Sequence, residues 1–258
     1  MALTISKKAK IHNSTHIGPN CIIDDNVEIG KNNKLIGNVV ITGNTKIGNN
    51  NTFYPFSTIG SEPQDLKYKG EKSFLFIGNH NTFREYVTVN TGTEGGGLKT
   101  IIENNCLFMV SSHIAHDCII KSNVILANNA TLAGHVEIFE NAVLGGNSAV
   151  HQFVKIGKYA MIGGMSGVEK NIIPYSLYTG IRSELKGMNI IGLKRKGLNS
   201  KKINEILKIV KSIFCSDNSI EQNINSLSKD MLIVDEIAEI VDFIKKYKKR
   251  GICRLIDD

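Results

Sequence analysis

The chain has 258 residues, of which 41% are hydrophobic and 21% charged, with no tryptophan and a formal net charge of +7. No run of about 18 apolar residues occurs, which argues against a membrane-spanning helix, and Lys7, Lys8 and Lys10 interrupt any apolar leader core, so export is not expected. Five cysteines (Cys21, Cys106, Cys118, Cys215 and Cys253) without a CxxC pair fit reduced thiols in a cytoplasmic protein.

Apolar residues recur at every sixth position through Ile5, Ile11, Ile17, Ile23, Ile29, Leu35, Ile41, Ile47, Phe53 and Ile59. A polar stretch, GSEPQDLKYKGEKSFLF, breaks the run, which returns at Ile77, Phe83 and Val89. TGTEGGGLK breaks it again before the register resumes at Ile102 and holds through Phe108, Ile114, Ile120, Leu126, Leu132, Ile138, Leu144, Val150, Ile156, Ile162 and Val168. The fifth position of each hexad carries a small or β-branched residue, as at Cys106, Ser112, Cys118, Val124, Ala130 and Val136. A period of six keeps no helical face together, so an amphipathic helix fails here. With two inward positions per hexad, the pattern describes short strands and corners wound around a prism, three hexads to a coil. Asn and Gly between the apolar positions suit corners with left-handed backbone angles. Cys21, Cys106 and Cys118 fall in the small inward slot and are expected to fill core. The interruptions near 61–76 and 91–101 are expected as loops thrown out of the solenoid, where contacts and function concentrate.

After Pro174 the hexads stop. Ile203, Ile206, Leu207, Val210, Ile213 and Phe214 share one face of a helix over 200–214, with Asn199 or Ser200 as its cap. Ile237, Ile240, Val241 and Ile244 mark a second helix over 235–249, with Asp235 as its cap, and a short helix is expected between them near 219–227. The organisation is therefore a β-helix over 1–180 and a small helical domain over 181–258. Residues 182–258 hold 16 Lys+Arg against 11 Asp+Glu, so most of the positive charge sits there. No aromatic-rich basic patch accompanies it, so nucleic acid is not expected; an anionic membrane surface, an acidic partner protein and a plain solvated helix surface all fit the charge.

The densest group of reactive side chains is SSHIAHDC, with His113, His116, Asp117 and Cys118, and four of the seven histidines lie between 113 and 151. In a coil of 18 residues, Gly134 stacks on His116, Gln152 on Gly134, and His135 on Asp117, at about 4.8 Å per coil. One edge then presents an imidazole, a carboxylate, a glycine and a glutamine. That set suits acyl transfer: the imidazole takes a proton from a hydroxyl, the carboxylate fixes its tautomer, and an uncrowded glycine N–H meets an oxyanion. The rival is zinc on His113, His116 and Cys118. It is disfavoured because Cys118 points inward and Gly134 offers no ligand, so no metal is expected. A binding or structural β-helix without chemistry would need neither this edge nor the polar QDLKY loop.

The hexads resemble the left-handed parallel β-helix of bacterial acyl- and acetyltransferases; the left hand comes from that resemblance and departs from the usual right-handed crossover. HIAHDC, ILANNATLAGHV (125–136), AVHQF (149–153), QDLKY (64–68) and GLKRKG (192–197) resemble the signatures of the UDP-N-acetylglucosamine 3-O-acyltransferase family, over nearly the whole chain. The resemblance implies transfer of a 3-hydroxyacyl chain from acyl carrier protein to the 3-hydroxyl of UDP-N-acetylglucosamine, the first step of lipid A synthesis. It implies His116 as general base, Asp117 as its partner and the Gly134 N–H as oxyanion donor. By the same resemblance His113, His135, Asp65 and Lys67 position sugar and acyl chain, and Gln152, His151, Asn189 and Arg195 contact the nucleotide. Gly164 would read acyl length, an open glycine suiting a long chain. The resemblance implies a homotrimer with sites between subunits, no metal, no acyl-enzyme, and no cofactor beyond the phosphopantetheine that carries the donor. Ile191 departs from an acidic residue in the best-known members, and Arg182 from a histidine. A related N-acyltransferase carries an extra domain before its β-helix, for which hexads starting at Ile5 leave no room.

Overall fold

In the computed structural model, two-residue strands follow one another at six-residue intervals, from Thr4–Ile5, Lys10–Ile11 and His16–Ile17 to Gly167–Val168. Residues 4–181, 184–214 and 218–253 are described. Each strand pairs in parallel with the strand one coil on: His113–Ile114 meets Thr131–Leu132, which meets Ala149–Val150. Among the described residues the strands gather into three sheets of 9, 8 and 10 members, the three faces of a prism. The first face runs from Thr4–Ile5 to Gly167–Val168, the second from Lys10–Ile11 to Lys155–Ile156, and the third from His16–Ile17 past Met161–Ile162.

The second residue of each strand points inward. Ile114, Ile120, Leu126, Leu132, Ile138 and Leu144 are all fully buried, as are the small-slot residues Cys118, Val124, Ala130, Val136 and Ala142. Burial of each large side chain contributes about 1.5–3 kcal/mol. On the third face Phe53, Phe83 and Phe108 stack one above another with ring centroids 4.8 Å apart at each step, the spacing of the strands themselves.

The corners take left-handed backbone angles, as expected, and most often on asparagine, as at Asn20, Asn38, Asn105, Asn123 and Asn141. Asparagine tolerates that region because its short side chain can hydrogen-bond locally. In the buried ladder, Asn51 accepts from the Asn81 N–H at 2.8 Å and Asn81 accepts from the Cys106 N–H at 2.8 Å, so each coil is tied to the next. Aromatic and charged residues occupy the same strained region at other corners, among them Asp117, His135 and Phe153.

Both excursions leave from the first face and return to the second. They are shorter than expected. Phe74–Ile77 is already strand, paired with Asn44–Ile47 on one side and Lys99–Ile102 on the other, so the loops occupy 62–73 and 91–98. The residues corresponding to the last few of each expected loop have joined a sheet because neighbours on both sides offer them ladder hydrogen bonds.

Strand structure also crosses the boundary expected at 180. Ser176–Thr179 and Glu184–Met188 form an antiparallel hairpin that closes the third face. Among the described residues five helices follow: α1 (Ile190–Arg195), α2 (Ser200–Phe214), α3 (Ile220–Asn225), α4 (Lys229–Leu232) and α5 (Asp235–Lys246). Asn199 caps α2 by accepting from the Lys202 N–H at 2.9 Å, and Ser219 with Gln222 forms a capping box on α3. The cap of α5 is Val234 rather than Asp235, which lies one residue inside as a first-turn acid. The helices dock on the last coils through polar contacts: Tyr178 donates its hydroxyl to the Cys253 carbonyl at 3.1 Å, and Asn171 donates to the Tyr247 carbonyl at 2.9 Å. Cys21, Cys106, Cys118 and Cys253 are buried free thiols; Cys215 lies outside the described residues. No described helix is long and apolar enough to cross a membrane.

Candidate functional site

The corner between the first and second faces carries the reactive residues. Asp117, His135 and Phe153 occupy equivalent positions in successive coils, with φ of 59°, 62° and 66°. The His135 N–H donates to the His116 carbonyl at 3.0 Å, and the Phe153 N–H to the Gly134 carbonyl at 3.1 Å, so the coils stack in the expected register.

His116 and Asp117 form a buried dyad. Imidazole Nδ1 lies 2.8 Å from Asp117 Oδ2, with the two side chains 5% and 1% exposed. Burial would push the Asp117 carboxyl up, but hydrogen bonds from His116, from the Thr93 hydroxyl and from the Thr93 N–H hold it below the ordinary carboxylate value. An ionised carboxylate favours the tautomer of His116 with its N–H on Nδ1 and the lone pair on Nε2. The other edge of the ring packs against Gly134, where a Cβ would stand 2.5 Å from Nε2. The Gly134 N–H donates to no acceptor among the described residues, as an oxyanion donor requires.

His135 stands beside the dyad, its ring edge-on to His116 at 5.0 Å and stacked on Phe153 at 4.3 Å. Burial lowers its pKa, against the pull of Asp117. Outside lies a cleft of about 610 Å³, walled by His135 and Phe153 on the coils and by Asp65, Leu66, Lys67, Glu71, Thr93 and Glu94 on the two excursions. The fold thus brings Asp65 and Lys67 to the same edge as His116, Asp117 and Gly134. His113 is one strand back, its Nδ1 2.7 Å from Thr88 Oγ1, and burial followed by the neighbouring His116 lowers its pKa.

Other expected residues lie apart. His151 and Gln152 are exposed beyond the cleft, and His151 Nδ1 meets Arg250 of the C-terminal segment. Asn189 is the cap of α1: its side chain accepts from the Gly192 N–H and donates to the Tyr159 carbonyl. Arg195 ends α1, exposed. No hydrogen bond or ion pair among the described residues links either of them to the dyad. Gly164 sits at an exposed corner, where a Cβ would meet Gly146 O at 3.3 Å and otherwise open space. Ile191 is exposed in α1, and Arg182 lies outside the described residues.

The zinc set considered from sequence is not assembled. Cys118 Sγ turns inward to the Ala133 carbonyl, and burial pushes the thiol up to about 12. His116, Asp117 and His135 do bring ligand atoms within 4.8 Å of one another, but the Asp117 carboxylate is already engaged by Thr93 and His116.

Sequence reasoning missed Thr93, Gly96 and Thr100, which enclose Asp117, and Phe153 and Arg250, which buttress the histidines. The glycine triplet in TGTEGGGLK was the available signal of close backbone approach: a Cβ on Gly96 would stand 2.0 Å from Asp117 Cγ.

Residues 171–253 match the family model for Udp N-acetylglucosamine O-acyltransferase, domain 2, and residues 99–134 match the bacterial transferase hexapeptide model. The acyl-(acyl-carrier-protein)--UDP-N-acetylglucosamine O-acyltransferase of Thermodesulfovibrio yellowstonii is 47% identical over 97% of this chain and 96% of its own. The enzyme of the same name from Rickettsia peacockii is also 47% identical, over 97% and 95%. Among solved structures, LpxA from Acinetobacter baumannii superposes with a TM-score of 0.93 at 41% identity, covering 97% of each chain. The UDP-N-acetylglucosamine O-acyltransferase of Moraxella catarrhalis superposes with a TM-score of 0.92 at 39% identity, again over 97% of each. The winding shared with these neighbours is the left-handed parallel β-helix, its coils expected from the hexads and its hand from the resemblance to bacterial acyltransferases.

Proposed function

We propose, given that this chain belongs to the family of acyl-(acyl-carrier-protein)--UDP-N-acetylglucosamine O-acyltransferases, that it moves a 3-hydroxyacyl chain from acyl carrier protein to the 3-hydroxyl of UDP-N-acetylglucosamine, opening lipid A synthesis in the cytoplasm. The observation that carries the reading is the dyad with its free Nε2 against the bare backbone of Gly134.

His116 Nε2 takes the proton of the sugar hydroxyl as the oxygen attacks the thioester carbonyl. The tetrahedral oxyanion receives the Gly134 N–H. The carbon–sulfur bond then breaks, and the leaving thiolate of the phosphopantetheine recovers the proton from His116. Asp117 stabilises the intervening imidazolium. The transfer is direct and needs neither a metal nor an acyl-enzyme.

Asp65, Lys67, His113 and His135 hold sugar and acyl chain. The acyl chain runs toward Gly164. His151, Gln152, Asn189 and Arg195 serve the nucleotide, with Asn189 and Arg195 doing so across a subunit boundary in a homotrimer. Leu66, fully exposed, and Phe153, about half exposed, leave apolar surface at the cleft rim that a neighbouring subunit and the acyl chain would cover. The basic C-terminal region faces the acidic carrier protein.

The test is turnover of UDP-N-acetylglucosamine with 3-hydroxyacyl carrier proteins of graded length. Acylated product is expected with the intact chain, and His116→Ala is expected to fold normally while losing about 100-fold or more of the rate. Near-normal turnover by that variant would overturn the general-base role.

A further inference from the structure

We propose that Thr93 is a positioning residue for this transfer, clamping the Asp117 carboxylate so that His116 is held in the tautomer and rotamer that expose Nε2. The inference rests on the reading of His116 as base.

Two donors of one residue converge on one carboxylate. The Thr93 N–H lies 2.9 Å from Asp117 Oδ1 and 3.1 Å from Oδ2, and its hydroxyl donates to Oδ2 at 2.6 Å. Thr93 is 4% exposed, so water does not substitute for these donors. It stands at the cap position of a one-turn 3-10 helix, Glu94–Gly96, where a threonine hydroxyl commonly caps its own turn. Here it makes no cap bond and is given to Asp117 instead. The surroundings leave the carboxylate little freedom. Gly96 packs on its far side, where any side chain would collide with it, and the Asp117 N–H donates to Thr100 Oγ1 at 2.8 Å. His116 Nδ1 takes the remaining direction on Oδ2.

The chemistry follows from the shared oxygen. Asp117 Oδ2 accepts from both Thr93 and His116. Each extra donor makes the carboxylate a weaker base and tempers its hold on the imidazolium. Thr93 therefore sets both where the imidazole points and how much of its negative charge Asp117 presents to it. A second tie links the clamp to the substrate loop: Glu71 accepts from the Glu94 N–H at 3.1 Å and from the Lys69 N–H at 2.8 Å. The excursion carrying Asp65 and Lys67 and the excursion carrying Thr93 are joined at their bases.

Thr93→Val, Thr93→Ala and Thr93→Ser are compared with the intact chain and with His116→Ala, each checked for an unchanged melting temperature and oligomeric state. Loss of the hydroxyl is expected to lower kcat about tenfold, as a slight misplacement of the base does, with KM for UDP-N-acetylglucosamine within about twofold. The acid limb of the pH profile for kcat/KM should move to higher pH, because a less solvated carboxylate holds the imidazolium proton more tightly. Thr93→Ser should restore both. Native kcat and an unmoved limb in a folded Thr93→Val or Thr93→Ala would overturn the proposal. So would failure of both to fold beside a native Thr93→Ser, since the hydroxyl would then be structural. An inactive His116→Ala beside unaffected Thr93 variants sinks only this inference; an active His116→Ala sinks the base assignment itself.

Discussion

The imidazole of His116 packs against the α-carbon of Gly134, one coil further along, so closely that a Cβ there would lie 2.4 Å from Cε1 and 2.5 Å from Nε2. The His116 ring and the Gly134 N–H are thus placed by the strand spacing rather than by flexible side chains, and the glycine is required for space, its backbone angle being one that other residues could adopt.

Gly134→Ala should therefore push the ring aside or spread the two coils. We expect kcat to fall by about 100-fold with a stability loss of about 1–3 kcal/mol from overpacking. Steady-state kinetics and urea unfolding check both, and a fully active alanine variant would show that the coils yield more easily than their ladders suggest.

Gly164→Met should shift acyl preference to shorter chains, since a side chain at 164 meets only Gly146 before open space. Competition between carrier proteins bearing long and short 3-hydroxyacyl chains reads the effect; an unaltered ratio would place the end of the groove elsewhere.

Phe83→Ala removes the middle ring of the stack formed with Phe53 and Phe108, each fully buried. The cavity should cost about 3–5 kcal/mol, measured by chemical denaturation, while kcat in the folded fraction stays near its native value because the stack belongs to the third face.

Stability should decline in acid in two stages. Burial holds His113 and His135 below the ordinary imidazole value of 6.5, so the unfolded chain gains protons first and stability falls as pH drops below that value. The depressed Asp117 carboxyl adds stability above its ordinary value of 3.8, and this is lost as pH falls through the still lower folded value. Thermal melts between about pH 7 and about pH 5 should show a falling Tm, with a smaller drop when both histidines are replaced by Gln. Equal slopes would assign the decline to other groups.

The prism and the stacking of Gly134 on His116 are legible because period six repeats the same environment along the chain, so Ile114 and Leu132 announce each other, and a spacing of 18 carries His116 to Gly134. What had no period stayed hidden. Thr93 meets Asp117 only because its loop doubles back over the corner, and Arg250 meets His151 across 99 residues of chain. The hairpin of Ser176–Thr179 and Glu184–Met188 and the cap at Val234 were likewise decided by what they dock against. The cap of α1 by Asn189, which also donates to the Tyr159 carbonyl, is set by that docking too.

The corner winding makes spacing a matter of phase. Between His116 and Gly134, adding or removing one residue would swing every later side chain off its edge and part the two, whereas a whole turn of the prism would leave all edges in line. The excursions at 62–73 and 91–98 escape this arithmetic, because their return strands are anchored by partners on both sides. The loops that wall the cleft can therefore lengthen or shorten without rotating the corner that carries His116, Asp117 and Gly134, so variation in the cleft has a place to accumulate that leaves the dyad alone.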